Sequence, residues 1–363
     1  MNARHRAGLA LPAAVFVVAI VVLFIAGSAF TATQEARASV GVLAERVALE
    51  TAEYGAVAVL RDWNPSWNVS TPVGQTIGPV TQTLSGGSVT SVHLTRTSPT
   101  SWWIVSEGSV GAVIARAARR TVNAALRLDV PPPSIDAALA AGDSARVTGT
   151  GTVTGTDSIE VFATCASLAP APAAGIAAPD TSRITASTGV TGSPPVTADS
   201  TIPVRLAALD SALIADIVLP AGAIVTPVPV VNAGLCDTLP ATNWGDPAGG
   251  ACGHHLPVIR ALGDLTVRGG AGQGILVAAG DVIFENGATF AGIVIVADDF
   301  VTGIGGGSVL GAVIAGDARR GAGDQTVVGS GGSIRRSSCR VQRARLAAAP
   351  PVRVRQRWWA EFH

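Results

Sequence analysis

The chain has 363 residues, only 14% of them charged, and its 25 basic side chains balance 25 acidic ones. Arginine supplies every basic side chain, because lysine is absent. A net charge of zero excludes a global basic field for holding nucleic acid, and the length suits about two domains.

The first residues are a short basic stretch, Arg4-His5-Arg6-Ala7-Gly8, and an uncharged apolar run from Leu9 to Thr33 follows. As a helix that run spans roughly 36 Å, enough to cross a bilayer core of about 30 Å. The helical pattern continues beyond it. Val40, Leu43, Val47, Tyr54, Val57 and Leu60 recur at three- and four-residue steps or multiples of them, the spacing of one helix face. Glu35, Arg37, Glu45, Arg46 and Glu53 fall mostly elsewhere, and nothing interrupts the pattern before Asp62-Trp63-Asn64-Pro65. The spacing predicts one helix, apolar in its first half and amphipathic in its second.

Three readings of this start are open. A secretory signal would be cleaved after Ala29, at the small residues Gly27-Ser28-Ala29, although the apolar run exceeds the usual length of about 7–15 residues. A plain uncleaved anchor is the second. The third is a resemblance: the basic residues, Gly8 and the apolar helix after it are similar to the leader of type IV prepilins. That resemblance implies cleavage between Gly8 and Leu9, methylation of the new amino terminus, and a membrane helix carrying Leu9, Pro12, Ala13, Phe16, Phe24 and Phe30. Major pilins have a Glu five residues after the cut, and Ala13 stands there instead. The departure points to minor pilins of the PilX kind and to tip pseudopilins. Pro12 is tolerable in a first turn, where the N–H has no helical partner.

Beyond Trp67 the helical period is lost. Ser88–Leu94 alternates apolar and polar residues as a half-buried strand does. Trp102–Ser106, ended by Glu107-Gly108, is a second strand and Ala117–Leu128 a third. An antiparallel sheet would then pack on the amphipathic half of the helix, burying Tyr54, Val57 and Leu60. A long helix followed by such a sheet resembles the pilin ladle over residues 1–130, and the phrases around Ile104–Gly108 and Ala117–Thr121 resemble the sheet of PilX-type proteins.

The second half contains a repeat. Gly263-Asp264, Gly280-Asp281, Ala297-Asp298 and Gly316-Asp317 recur at steps of 17, 17 and 19 residues, each after an apolar strand. Leu265–Val267, Val282–Phe284 and Phe300–Thr302 follow the first three, and Ala288–Phe290 and Ser308–Leu310 read as third short strands. Two or three strands per unit, punctuated by Gly, predict stacked coils of a right-handed parallel β-helix. Arg146–Thr154 reads as an added coil, Arg205–Asp216 as a helical cap at one end, and Leu168–Asp199 as loop. The segments Asn243–Pro247 to Gly253 and Ser337-Ser338-Cys339 resemble parts of PilX-like proteins with β-helical ends.

Candidate chemistry is sparse. The Asp column (Asp264, Asp281, Asp298, Asp317, with Asp299 alongside) suits Ca²⁺ or paired carboxylates, as in polysaccharide-cleaving β-helices. The plainer reading, taken here, is that Asp at a turn bonds local backbone amides. Four cysteines beyond an apolar segment suit disulfides in an oxidising space. Cys236 and Cys252, close in sequence, pair with each other, and Cys165 then pairs with Cys339 by elimination. A zinc site from Cys236, Cys252, His254 and His255 is the alternative. No metal, cofactor or catalytic residue is assigned. Near the C-terminus Arg335, Arg336, Arg340, Arg343, Arg345, Arg353, Arg355 and Arg357 face only Glu361, and Val352, Val354 and Gln356 alternate with three of them before Trp358-Trp359. Such a strand suits DNA or acidic polysaccharide; the reading taken is a solvated edge strand closing the pilin sheet.

The fold class expected is α+β then all-β. Residues 1–8 are the leader and 9–62 the helix, membrane-spanning over 9–33 and amphipathic over 34–61. The pilin-like sheet occupies 63–130, the β-helix with its loops 131–345 and a basic strand or tail 346–363. The resemblance implies a non-enzymatic subunit of a type IV pilus or related secretion filament. Its partners would be other pilin subunits, the inner-membrane assembly platform and the prepilin peptidase. It would start as a single-pass inner-membrane protein, bulk extracytoplasmic, and end at the cell surface, with nucleic acid not among its partners. The rivals are a secreted or anchored β-helix enzyme or an adhesin, both acting on polysaccharide.

Overall fold

The computed structural model describes residues 10–111, 117–131, 136–158, 160, 165, 172–186, 188–206, 213–316 and 325–354. Helix α1 runs unbroken from Ala10 to Arg61. From residue 11 to residue 39 every side chain is exposed, and from Gly41 onward one face is buried.

That face is built of small residues: Ala44, Ala48 and Ala52 at 0% exposure, then Ala56 and Val59, with Gly41 and Gly55 among them. The expected face is therefore corrected. Leu43, Tyr54 and Val57 point away from the sheet, 53, 40 and 58% exposed, and Leu60 is only partly buried against the core. The reason is the closeness of the backbones. A Cβ on Gly108 would lie 2.1 Å from the Ala48 carbonyl oxygen and 2.4 Å from the Ala52 nitrogen, and one on Gly55 would lie 2.8 Å from both Ser106 Oγ and Thr90 Cβ. Leu or Val on this face would hold the helix too far out for the Ser106 hydroxyl to reach the Ala52 carbonyl, to which it donates at 2.6 Å.

The platform is an antiparallel sheet of β1 (Thr76–Thr83), β2 (Ser88–Ser98), β3 (Ser101–Val110) and β4 (Ala118–Leu128), in that order, with the C-terminal strand Pro351–Arg353 added beside β4. The three expected strands lie within β2, β3 and β4. β3 does not stop at Glu107-Gly108 but continues to Val110. Gly108 is where the helix crosses, so it belongs inside the strand. β1 went unread because Gly78-Pro79 breaks its pattern, and its register with β2 shifts there. Leu94, Trp102, Ile104 and Leu126 pack with Ala56 and Val59 of α1 in one core. Arg96, 1% exposed, donates to the carbonyls of Thr71 and Pro99 at 2.6 Å.

Each unit of the Asp repeat gives one strand to each of two large parallel sheets. In the first, neighbours run Ile217–Leu219, Val258–Ala261, Ala271–Ala278, Ala288–Val296, Gly307–Ala315, then Ala137–Ala141, Ala174–Ala178 and Val196–Ala198. In the second they run Ala223–Val225, Leu265–Arg268, Val282–Glu285, Phe300–Thr302, Thr326–Val328, Ala145–Val147 and Ile184–Ala186. One apolar cluster, including Leu139, Val147, Leu276, Phe284, Val294 and Phe300, joins residues of both sheets.

Leu168–Asp199 is not loop throughout: Ala174–Ala178, Val190–Thr191 and Val196–Ala198 join the first sheet and Ile184–Ala186 the second, short strands that Pro- and Ser-rich flanks hide from local pattern. Two further expectations about this region change. Ala288–Phe290 and Ser308–Leu310 are not separate strands: each continues through a glycine into the apolar strand that follows. Gly274, Gly292 and Gly311 are in register with φ of 111, 144 and 149°. A Cβ on Gly311 would fall 1.8 Å from the Gly292 carbonyl oxygen, and one on Gly292 2.0 Å from that of Gly274. The chain bends there without breaking its ladder because only glycine fits the column. The second change concerns Arg205–Asp216, which does not cap an end. Ile202 and Leu213 are buried in a second apolar cluster with Val258, Ile275, Ile293 and Ile314, and Leu206 packs against it. Leu209 lies outside the described residues.

Helix α3 (Ser338–Ala347; α2 is the short turn Trp67–Ser70) places Val341 and Ala344 in that same second cluster. The strands beneath are thus covered on both faces, which explains why Gly292–Val296 reads as a continuous apolar run. The Ser337 hydroxyl caps α3 by accepting from the Arg340 N–H at 3.2 Å. Asn68, fully buried in α2, donates to the carbonyls of Leu346 and Ala349 at 2.8 and 3.1 Å, so the end of α3 is tied to the segment that follows α1.

Candidate functional site

A long exposed surface is α1 itself. Its residues 11–39 are exposed throughout: Phe16, Phe24 and Phe30 are 66, 75 and 64% exposed, Pro12 and Ala13 are exposed, and a Cβ on Gly27 would meet no atom within 4 Å. The helix is long and apolar enough to cross a membrane. Its amphipathic half extends the same surface, because Val42, Leu43, Tyr54 and Val57 face outward. Charges flank it: Arg46 pairs with Glu50 at 3.0 Å and Glu45 with Arg120 of β4 at 2.7 Å. Gly8 and Leu9, the expected cleavage pair, lie outside the described residues.

The aspartates act mainly as acceptors between units of the repeat. Asp264 Oδ1 accepts the Asp281 N–H at 3.0 Å, and Asp281 Oδ1 accepts the Asp299 N–H at 3.1 Å. The Thr326 hydroxyl donates to Asp299 Oδ1 at 3.4 Å. The amides are those of the next unit and not local ones, so the column stitches strand to strand. Asp281, Asp298 and Asp299 each place a carboxylate oxygen within 4.8 Å of the others, with Asp298 and Asp299 buried; Asp317 lies outside the described residues.

The four cysteines stand in two pairs, Cys236–Cys252 and Cys165–Cys339. With their sulfurs bonded to each other, Cys236 and Cys252 offer no thiolate for zinc. Asn243, fully buried, fixes the loop around them: its Nδ2 donates to the Asp237 carbonyl at 2.5 Å and its Oδ1 accepts the Gly245 N–H at 3.1 Å. Burial pushes the imidazoles of His254 and His255 down, aided at His254 by the Arg343 cation.

Only part of the arginine-rich segment forms an edge strand. Arg353 lies on the strand beside β4 with Val352 and Val354 exposed next to it; Arg355, Gln356, Arg357, Trp358, Trp359 and Glu361 lie outside the described residues. Arg340 and Arg343 are buried on α3. Arg340 Nε meets Glu160 at 2.6 Å and its Nη2 donates to the Pro247 carbonyl at 3.1 Å, and Arg343 donates to the Gly253 carbonyl at 3.0 Å. Burial, with Arg340 alongside, pushes the Arg343 guanidinium down to about 10. These cations pin α3 against the 245–253 loop and present no basic face.

No family model matches the chain, and no curated protein does. Among solved structures, the crystal structure of the competence-associated pilin ComZ from Thermus thermophilus is similar at 11% identity, over 88% of this chain and 98% of that one, with a TM-score of 0.27. At that score the likeness decides nothing about this chain.

The residues missed by the sequence reading are the small ones. Ala44, Ala48, Ala52 and Gly55 carry no hydrophobic signal beside Leu43 and Val57. Their own spacing of three and four residues, matched by Gly108 inside a strand, was the available clue.

Proposed function

We propose that this chain is a structural, non-enzymatic subunit of the minor pilin or pseudopilin kind, in a type IV pilus or related secretion filament. The observation that carries the reading is the division of α1. Its lower half is seated on an antiparallel sheet through small residues, and its upper half projects as a bare apolar rod. The rod waits in the inner membrane. On extraction, its side chains and the outward Leu43, Tyr54 and Val57 bury against helices of neighbouring subunits, driven by removal of apolar surface from water. The prepilin peptidase cuts between Gly8 and Leu9, and an assembly platform receives the product. Ala13 leaves the new amino group without its usual carboxylate partner, which suits a tip or priming position. The two parallel sheets are faces of a right-handed β-helix of about residues 131–345, displayed outside the cytoplasm, where the two disulfides persist.

Mass spectrometry of the amino terminus of protein purified from native membranes tests this. An N-terminus at Leu9 is expected. An N-terminus at Phe30, or an uncut Met1, overturns the reading.

A further inference from the structure

A groove lies on the outer face of the first parallel sheet, where its strands begin, and is roofed by Pro247 and Ala248. Its volume is about 370 Å³, within the range of small-molecule sites, roughly 300–1,000 Å³. Side chains alternate across a strand, so the inward Phe290 and Val309 leave two outward columns. One is a ladder of hydroxyls in register, Thr289, Ser308, Ser333 and Thr152, and the next is Ala291, Leu310, Arg335 and Thr154. Neighbouring members of a column repeat at the strand spacing of about 4.8 Å.

Arg335 is exposed at the groove. It differs from Arg340 on the opposite wall, whose cation is engaged by Glu160 and the Pro247 carbonyl. That engagement, with the Cys236–Cys252 bond, holds the roof in place, so the groove is formed before any ligand arrives and ordering it costs little on binding.

The lining specifies a ligand. Hydroxyls in a regular row pair with a ligand rich in hydroxyls. Leu310 beside them takes the apolar C–H face of a ring. Arg335 takes a carboxylate in a charge-assisted bond. Among the described residues the groove presents no aromatic platform apart from the inward Phe290, which disfavours stacked nucleic-acid bases. We propose that this groove binds a carboxylated sugar polymer, with Arg335 reading the acid and Ser308 and Ser333 the ring hydroxyls. Binding here does not depend on filament assembly, so the two readings fail separately.

Titration calorimetry on the full chain in a sugar-free amine-oxide detergent tests it, using a hexamer of galacturonic acid, a neutral galactose hexamer and inorganic phosphate. The acidic hexamer is expected to bind, and the other two much more weakly. Arg335→Ala should weaken binding about tenfold, the loss expected for one hydrogen bond to a charged group. Ser308→Phe should fill the groove and abolish binding. Both sites are on the surface, and an unchanged near-ultraviolet circular dichroism spectrum shows the fold intact. Absence of binding by the acidic hexamer overturns the proposal, as does equal binding of the neutral hexamer, or both variants binding like the parent.

Discussion

The two halves of α1 share a richness in Ala and Val and differ in charge and in fate. Residues 11–39 are exposed throughout, while residues 41–59 lie so close to β3 that Gly108 cannot carry a Cβ. The comparison teaches that in the lower half fit matters more than hydrophobicity. The sheet receives the helix through its smallest residues and leaves the largest, Leu43, Tyr54 and Val57, outside. Dispersion falls steeply with separation, so a close backbone-to-backbone approach gathers many contacts that a larger side chain would forfeit.

Four substitutions probe this asymmetry. The largest effect is expected from Gly108→Leu, whose side chain must displace the Ala48 carbonyl. It should destabilise the α1–sheet unit by about 3 kcal/mol, read as faster amide exchange in β3 and in residues 44–59. Gly27→Leu, in open space, should leave exchange there unchanged; equal effects at the two glycines would break the comparison. Next is Ser106→Ala, which removes the hydroxyl donated to Ala52 and should cost about 1 kcal/mol in denaturant unfolding followed at Trp102. The smallest is Val57→Ala. It should change the stability of the isolated chain by less than about 0.5 kcal/mol, yet reduce the filament incorporation that the proposed function requires, measured in cells. A large loss of stability would mean that the outward face is part of the core after all.

The extent of the helix and the central strands of the parallel sheets were both legible. The repeat of Gly-Asp after apolar strands located Val258–Ala261, Leu265–Arg268, Val282–Glu285 and Phe300–Thr302, because each strand's signal lies within its own few residues. The turn pattern marks the Asp column as a backbone device with local partners, whereas the amides it accepts belong to the next unit. The groove was not read at all. Its hydroxyl residues Thr289, Ser308 and Ser333 become neighbours only through strand register.

The order of stacking shows the same limit at larger scale. Ala137–Ala141 does not begin the sheet but follows Gly307–Ala315, in register Val313 with Leu139 and Ala315 with Ala141. After Val196–Ala198 the chain returns along the outer face, through Ile202 and Leu213, to start the opposite edge at Ile217. Across the chain, Cys165 is bonded to Cys339, Asp157 accepts from Ser338, and Glu160 meets Arg340. A long helix with an apolar first half and a run of Gly-punctuated strands follow from periodicity within a few residues, so they can be read along the chain. Which helix face meets the sheet, which strands are neighbours and where the groove opens emerge only when the chain is folded. Those depend on how closely backbones approach and on which distant edge offers a free ladder of N–H and C=O groups, and neither is recorded in local pattern.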